Sequence, residues 1–134
     1  MDQRKLSDLA AQLDGSLQQP GDPEYDAART IWNAMIDRRP ALIVRCRSTK
    51  DVVCAVRFAR EHELLVSVRG GGHNVAGNAV CDDGLMIDLT LMNEVSIDAS
   101  ANTVIAGGGC TLGALDTASH AHGLAVPAGI ISET

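Results

Sequence analysis

At 134 residues the chain has room for one modest domain, and a hydrophobic fraction of 46% supports a buried core and excludes wholesale disorder. One Trp, one Tyr and one Phe leave almost no platform for stacking bases, and a net charge of −6 with scattered basic residues argues against a nucleic-acid partner. No apolar run has the length of a signal peptide or a membrane span, so no membrane partner is expected and a reducing, cytoplasmic setting is the default.

In chain order, Leu6, Leu9, Ala10 and Leu13 have a helical spacing that ends at Gly15. Gln18 to Pro23 reads as a polar loop, which makes residues 1–21 an N-terminal helix and linker ahead of a domain over 22–134. Asp22-Pro23 predicts a helix start, with Tyr25, Ala28, Trp32, Met35 and Ile36 on one inward face and Pro40 closing it. Arg38, Arg39, Arg45 and Arg47 are flanked by Asp37 and Asp51 and read as a solvated surface. Ala41 to Val44 is a short β-rich run. Ser48, with Asp51 three residues on, opens a helix whose Val52, Val53, Val56 and Ala59 are expected to face inward.

Leu64 to Val68 is the next strand. Strand, helix, strand with short connections predicts a βαβ unit with two parallel, adjacent strands. After a glycine-rich turn, Leu85 to Leu89 reads as a strand, and Val95–Asp98 with Thr103–Ala106 predicts a hairpin. Thr111 caps a helix running to about His122, Gly123 is its left-handed stop, and Leu124 to Val126 begins another strand. The predicted class is α/β moving into α+β.

The four cysteines form no CxxC pair and have no metal-ligand spacing with the histidines. Cys46 and Cys54 read as buried thiols, and Cys110 as a small residue at a helix start. His62, His120 and His122 sit near helix C-termini, where partial positive charge is favourable. No metal is expected.

The chemistry concentrates in Arg69-Gly70-Gly71-Gly72-His73-Asn74. Three residues without Cβ can turn successive N–H groups to one concave side, a nest for phosphate oxygens. A bare glycine triplet is more readily a tight turn with no ligand, and it is neither GxGxxG nor a Walker loop. A strand delivers Arg69 into the turn, and His73 follows it, where a neutral imidazole would be a competent nucleophile. From position alone, a His73 bonded to a backbone carbonyl is the stronger reading.

The string VSVRGGGHNVAGN, from Val66 to Asn78, resembles the flavin-binding turn of FAD-linked oxidases of the vanillyl-alcohol oxidase/PCMH superfamily, in the branch of berberine-bridge-enzyme-like and 6-hydroxy-D-nicotine oxidases. The likeness continues through Arg39 to Ile43, Val52 to Ala59, Ile87-Asp88-Leu89 with Leu91-Met92-Asn93, Gly107 to Gly109, and Ala125 to Gly129. It implies the first α/β subdomain of an FAD-binding PCMH-type domain, an α+β fold left incomplete at the C-terminus. It also implies that backbone groups of Arg69, Gly70, Gly71, Gly72, His73 and Asn74 bind the FAD pyrophosphate, with Gly77 allowing close approach. His73 matches the histidine bonded to the flavin 8α carbon, and Pro127, Gly129 and Ile131 would lie near the flavin ring.

Ile131 stands where doubly linked members carry a cysteine, so a single covalent link is expected. The implied activity is oxidation of an alcohol or amine carbon of a small-molecule substrate, with O2 as acceptor. The catalytic base would lie beyond Thr134, and a half-built flavin domain is expected to self-associate. A nucleotide-binding module, or a catalytically silent flavoprotein fragment, is the rival reading, and flavin colour after purification separates the two.

Overall fold

Val66–Arg69 and Leu85–Asp88 are both strands, but their burial differs, and that difference sets the sheet. The fold is given by a computed structural model describing residues 2–134. Its elements are α1 (Gln3–Ala10), β1 (Ser16–Gln18), α2 (Tyr25–Arg29), β2 (Leu42–Arg45), α3 (Thr49–Glu61), β3 (Val66–Arg69), β4 (Leu85–Asp88), β5 (Val95–Asp98), β6 (Thr103–Ala106) and α4 (Leu112–His120). Strands β1 to β4 form one sheet in the order β1-β2-β4-β3, and β5 and β6 form a separate hairpin.

The expected βαβ pairing is therefore corrected. Strands β2 and β3 are parallel, but each pairs with β4, which lies between them. All four residues of β4 are buried, whereas β3 alternates, with Val66 and Val68 outward and Ser67 and Arg69 inward. A parallel strand covered on both faces must be apolar throughout, so Leu85-Met86-Ile87 takes the centre and Val-Ser-Val-Arg the edge.

One face of the sheet packs Leu42, Val44, Leu85 and Ile87 against Leu6 and Leu9 of α1 and Ala55, Phe58 and Ala59 of α3. The other packs Ile43 and Met86 against Tyr25, Ala28, Ile31, Ala79 and Val80. Burying each large aliphatic side chain here stabilises the fold by about 1.5–3 kcal/mol. Among the described residues, no helix is long and apolar enough to cross a membrane.

Four further expectations change. Ser16–Gln18, which runs into the expected Gln18–Pro23 loop, is a strand that pairs antiparallel with β2. The helix begun near Pro23 runs only from Tyr25 to Arg29, leaving Trp32 and Met35 exposed. It stops because tertiary partners claim the backbone that would continue it: Arg69 Nη1 donates to Thr30 O at 2.8 Å, and Trp32 N–H donates to Gly72 O at 3.2 Å. Leu124 to Val126 pairs with no strand among the described residues and lies against the hairpin beside Ile97 and Val104.

The fourth change is the phase of α3. Its buried residues are Asp51, Ala55, Phe58 and Ala59, while Val53 and Val56 are exposed. Ser48 caps the helix as expected, accepting from Asp51 N–H. The Asp51 carboxylate turns inward and accepts N–H bonds from Asp14 (2.8 Å), Gly15 (3.0 Å) and Arg47 (2.9 Å). Three backbone donors on one buried carboxylate rotate the helix and staple the α1–β1 turn to it. Asp51→Asn keeps one acceptor oxygen and should lower stability by about 2 kcal/mol. Chemical denaturation checks this: an unchanged midpoint would show that the staple contributes nothing.

Candidate flavin site

The β3 strand ends in a buried charge. Arg69, Asp88 and Arg45 stand side by side at the C-terminal ends of β3, β4 and β2. Asp88 has no exposed surface. It is bonded to Arg69 Nη2 at 2.7 Å and Nε at 3.4 Å, to Arg45 Nε at 3.3 Å, and to Thr90 N–H at 3.0 Å. Burial pushes the Asp88 carboxyl up, but the Arg69 hydrogen bond and charge, with the Thr90 N–H, outweigh it, so it titrates below its ordinary value. The Arg69 carbonyl accepts Leu89 N–H at 2.8 Å, which fixes the point where the chain leaves the sheet.

From there Gly70, Gly71, Gly72, His73 and Asn74 line a cleft of about 400 Å³ together with Val68, Ala79 and Thr134. The glycines serve different ends. A Cβ on Gly70 would lie 2.6 Å from Gly108 O, so the two glycine triplets of the sequence pack backbone to backbone. Gly72 has φ of 75°, a left-handed conformation that glycine adopts at no steric cost. Through this bend, and among the described residues, the N–H groups of Gly70 to Asn74 donate to no protein acceptor. Five successive free donors beside a cleft fit an anionic, oxygen-rich ligand such as a pyrophosphate.

His73 is half-buried, and its ring stacks on Trp32 with centroids 5.7 Å apart and planes at 22°. The other expected residues are spread more widely. Gly77 is buried beneath Ile36, where a Cβ would come within 2.8 Å of Cγ2. The Arg69 side chain lies outside the cleft, against Asp88 and Thr30. Pro127, Gly129 and Ile131 are exposed and line no part of the cleft. Their segment folds over the start of α4, where Leu112 and Gly113 N–H donate to Thr134 O and Ser132 O.

Cys46 is fully buried, and burial, aided by the Asp51 and Asp88 carboxylates, pushes its thiol up to about 12. Cys54 is only half-buried, so the expectation of a buried thiol holds for Cys46 alone. Cys110 is half-buried just before the Thr111 cap.

Sequence reasoning missed Thr30 to Asn33, which brace the turn from outside, and the Arg45–Asp88–Arg69 ladder. The ladder had a signal: an aspartate closing the apolar run Leu85-Met86-Ile87 needs a cationic partner, and Arg69 closes the neighbouring strand. Trp32 had none, since its stack depends on where the chain leaves α2.

An FAD binding domain model matches residues 40–134. The (R)-6-hydroxynicotine oxidase of Paenarthrobacter nicotinovorans is 40% identical over 118 residues, covering 88% of this chain and 26% of that protein. The solved structure of 6-hydroxy-D-nicotine oxidase from Arthrobacter nicotinovorans superposes with a TM-score of 0.88 at 39% identity, over 90% of this chain and 27% of the other. Glucooligosaccharide oxidase from Acremonium strictum, described with a 6-S-cysteinyl, 8α-N1-histidyl FAD, matches with a TM-score of 0.77 at 30% identity, over 84% and 24% of the two chains. The chain thus spans about a quarter of the length of these relatives.

Proposed function

Since the chain belongs to the FAD-binding domain family of FAD-linked oxidoreductases, we propose that its glycine turn holds the FAD pyrophosphate and that His73 carries the flavin covalently. The observation that carries this reading is a run of five free N–H groups, Gly70 to Asn74, that includes the His73 imidazole in one cleft. When bound, FAD supplies the redox chemistry, taking hydride from an alcohol or amine carbon of a small-molecule substrate and passing electrons to O2.

The chain's own residues bind and orient. The ladder of Arg45, Asp88 and Arg69 anchors the root of the turn. Gly72 bends it, and the amides of Gly70 to Asn74 neutralise phosphate charge without a cationic side chain in the cleft. Pro127, Gly129 and Ile131 belong to the flavin-ring end of the site. Ile131 replaces the cysteine of doubly linked relatives, so the link is single. A cytoplasmic setting is consistent with four free cysteines.

Acid denaturation of the purified flavoprotein tests the link. Yellow fluorescence should stay with the polypeptide, and a peptide over residues 69–78 should carry the flavin mass. Flavin recovered wholly in the supernatant would overturn the link and leave reversible binding.

A further inference from the structure

Trp32 is the only tryptophan of the sequence, and it is two-thirds exposed. An indole left that open contributes little to a core. Its ring instead lies on His73, 5.7 Å between centroids and 22° from parallel. We propose that Trp32 is a positioning residue for His73, holding the imidazole plane in the orientation that flavin attachment requires. The inference rests on the tethering reading above.

The indole is fixed by its backbone and not by burial. Arg69 Nη1 holds Thr30 O at 2.8 Å, Trp32 N–H holds Gly72 O at 3.2 Å, and Asn33 Nδ2 holds Val75 O at 2.9 Å. Those three bonds cross from the Thr30–Asn33 segment to the turn on both sides of His73. Between them Ile31 is buried in the core, with its Cα 3.7 Å from where a Gly72 Cβ would sit. The segment is therefore clamped to the turn at both ends and plugged in the middle, while the indole projects over the imidazole.

His73 needs such support. Its neighbours Gly71 and Gly72 offer no side chain to pack on the imidazole, and the Trp32 indole is the ring stacked on it, restraining rotation about its two side-chain bonds. Attachment joins a ring nitrogen of His73 to the 8α carbon. His73 gives up its N–H proton and the methyl carbon one hydrogen, and the two electrons and two protons held on the flavin pass to O2 to give peroxide. Only the stretch of ring orientations that aims nitrogen at carbon is productive, and restricting the ring raises the rate of bond formation without altering the phosphate contacts.

Two readouts on the purified protein test this. In flavin-free protein, the His73 ring protons, assigned by loss in His73→Ala, should show an upfield ring-current shift that disappears in Trp32→Ala. On adding FAD, Trp32→Ala should incorporate covalent flavin about threefold to tenfold more slowly, the factor carried by an aromatic pair of this type. Reversible FAD affinity should change by less than about twofold, and Trp32→Phe should recover most of the rate. Equal incorporation rates in wild type and Trp32→Ala, or a His73 signal indifferent to Trp32, would overturn the role of Trp32 while leaving the tether standing. Wild-type protein that binds FAD but never retains it after acid would overturn the tether itself, and this role with it, even with the ring-current shift present.

Discussion

An Asp88→Ala variant should lose about 3–5 kcal/mol of folding stability, read as a fall in the urea midpoint. Asp88 is the only anion between Arg45 and Arg69 in their ladder across three strands, and it has no exposed surface. Removing it leaves the Arg69 guanidinium, itself 8% exposed, without a counter-charge in the interior. Against a total of roughly 5–15 kcal/mol for a domain, the loss is large.

The pH dependence follows from the depressed carboxyl. Its stabilisation is complete above the ordinary aspartate value of about 3.9 and drains away as pH falls through the lower folded value. The gap between wild type and variant should therefore be widest near neutrality and close in strong acid. Equal midpoints at pH 7 would show that the ladder is not a source of stability.

The second large effect is all-or-none. His73→Ala should leave no flavin on the polypeptide after acid denaturation, while the turn still binds FAD reversibly. None of the four cysteines lines the cleft. The Cys46 thiol is buried and pushed up to about 12, Cys81 is buried against Ser67 Oγ at 3.3 Å, and Cys110 is half-buried at the mouth of α4. The mass of the intact variant is the measurement. A retained flavin adduct would point to one of these thiols and refute the single link.

The sequence was most legible where the determinants are local. The hairpin of β5 and β6 matches residue for residue, because Asp98 Oδ1 accepts from Ser100 and Ala101 N–H and shapes its own turn. The caps Ser48 and Thr111 behave as their side chains dictate, and Gly123 takes a left-handed φ of 68°.

Expectations failed where distant groups decide. The helix from Tyr25 breaks at Thr30 because Arg69 and Gly72, about 40 residues away, take its backbone groups. The α3 face is set by Asp51 reaching back to Asp14 and Gly15, which leaves Val53 and Val56 outside while Ala59 stays in the core. At the site, the glycine turn and His73 were visible as a string, but the donor count of the turn and the indole over the histidine exist only after these long-range bonds form.

The order β1-β2-β4-β3 also fixes a sequence of events as the chain is made. The central strand is the last of the four to leave the ribosome, and until Leu85 to Asp88 arrives neither β2 nor β3 has its parallel partner. The β1–β2 pair can form early, but the sheet cannot extend past β2 until β4 inserts between it and β3. Its nascent intermediates hold two unpaired edges with exposed Val66 and Val68 on one of them, the kind of species that chaperones engage. Folding of the ladder, and with it the geometry at the root of the glycine turn, is thereby concentrated in a single late step that either seats Asp88 between its two arginines or leaves all three charges in water.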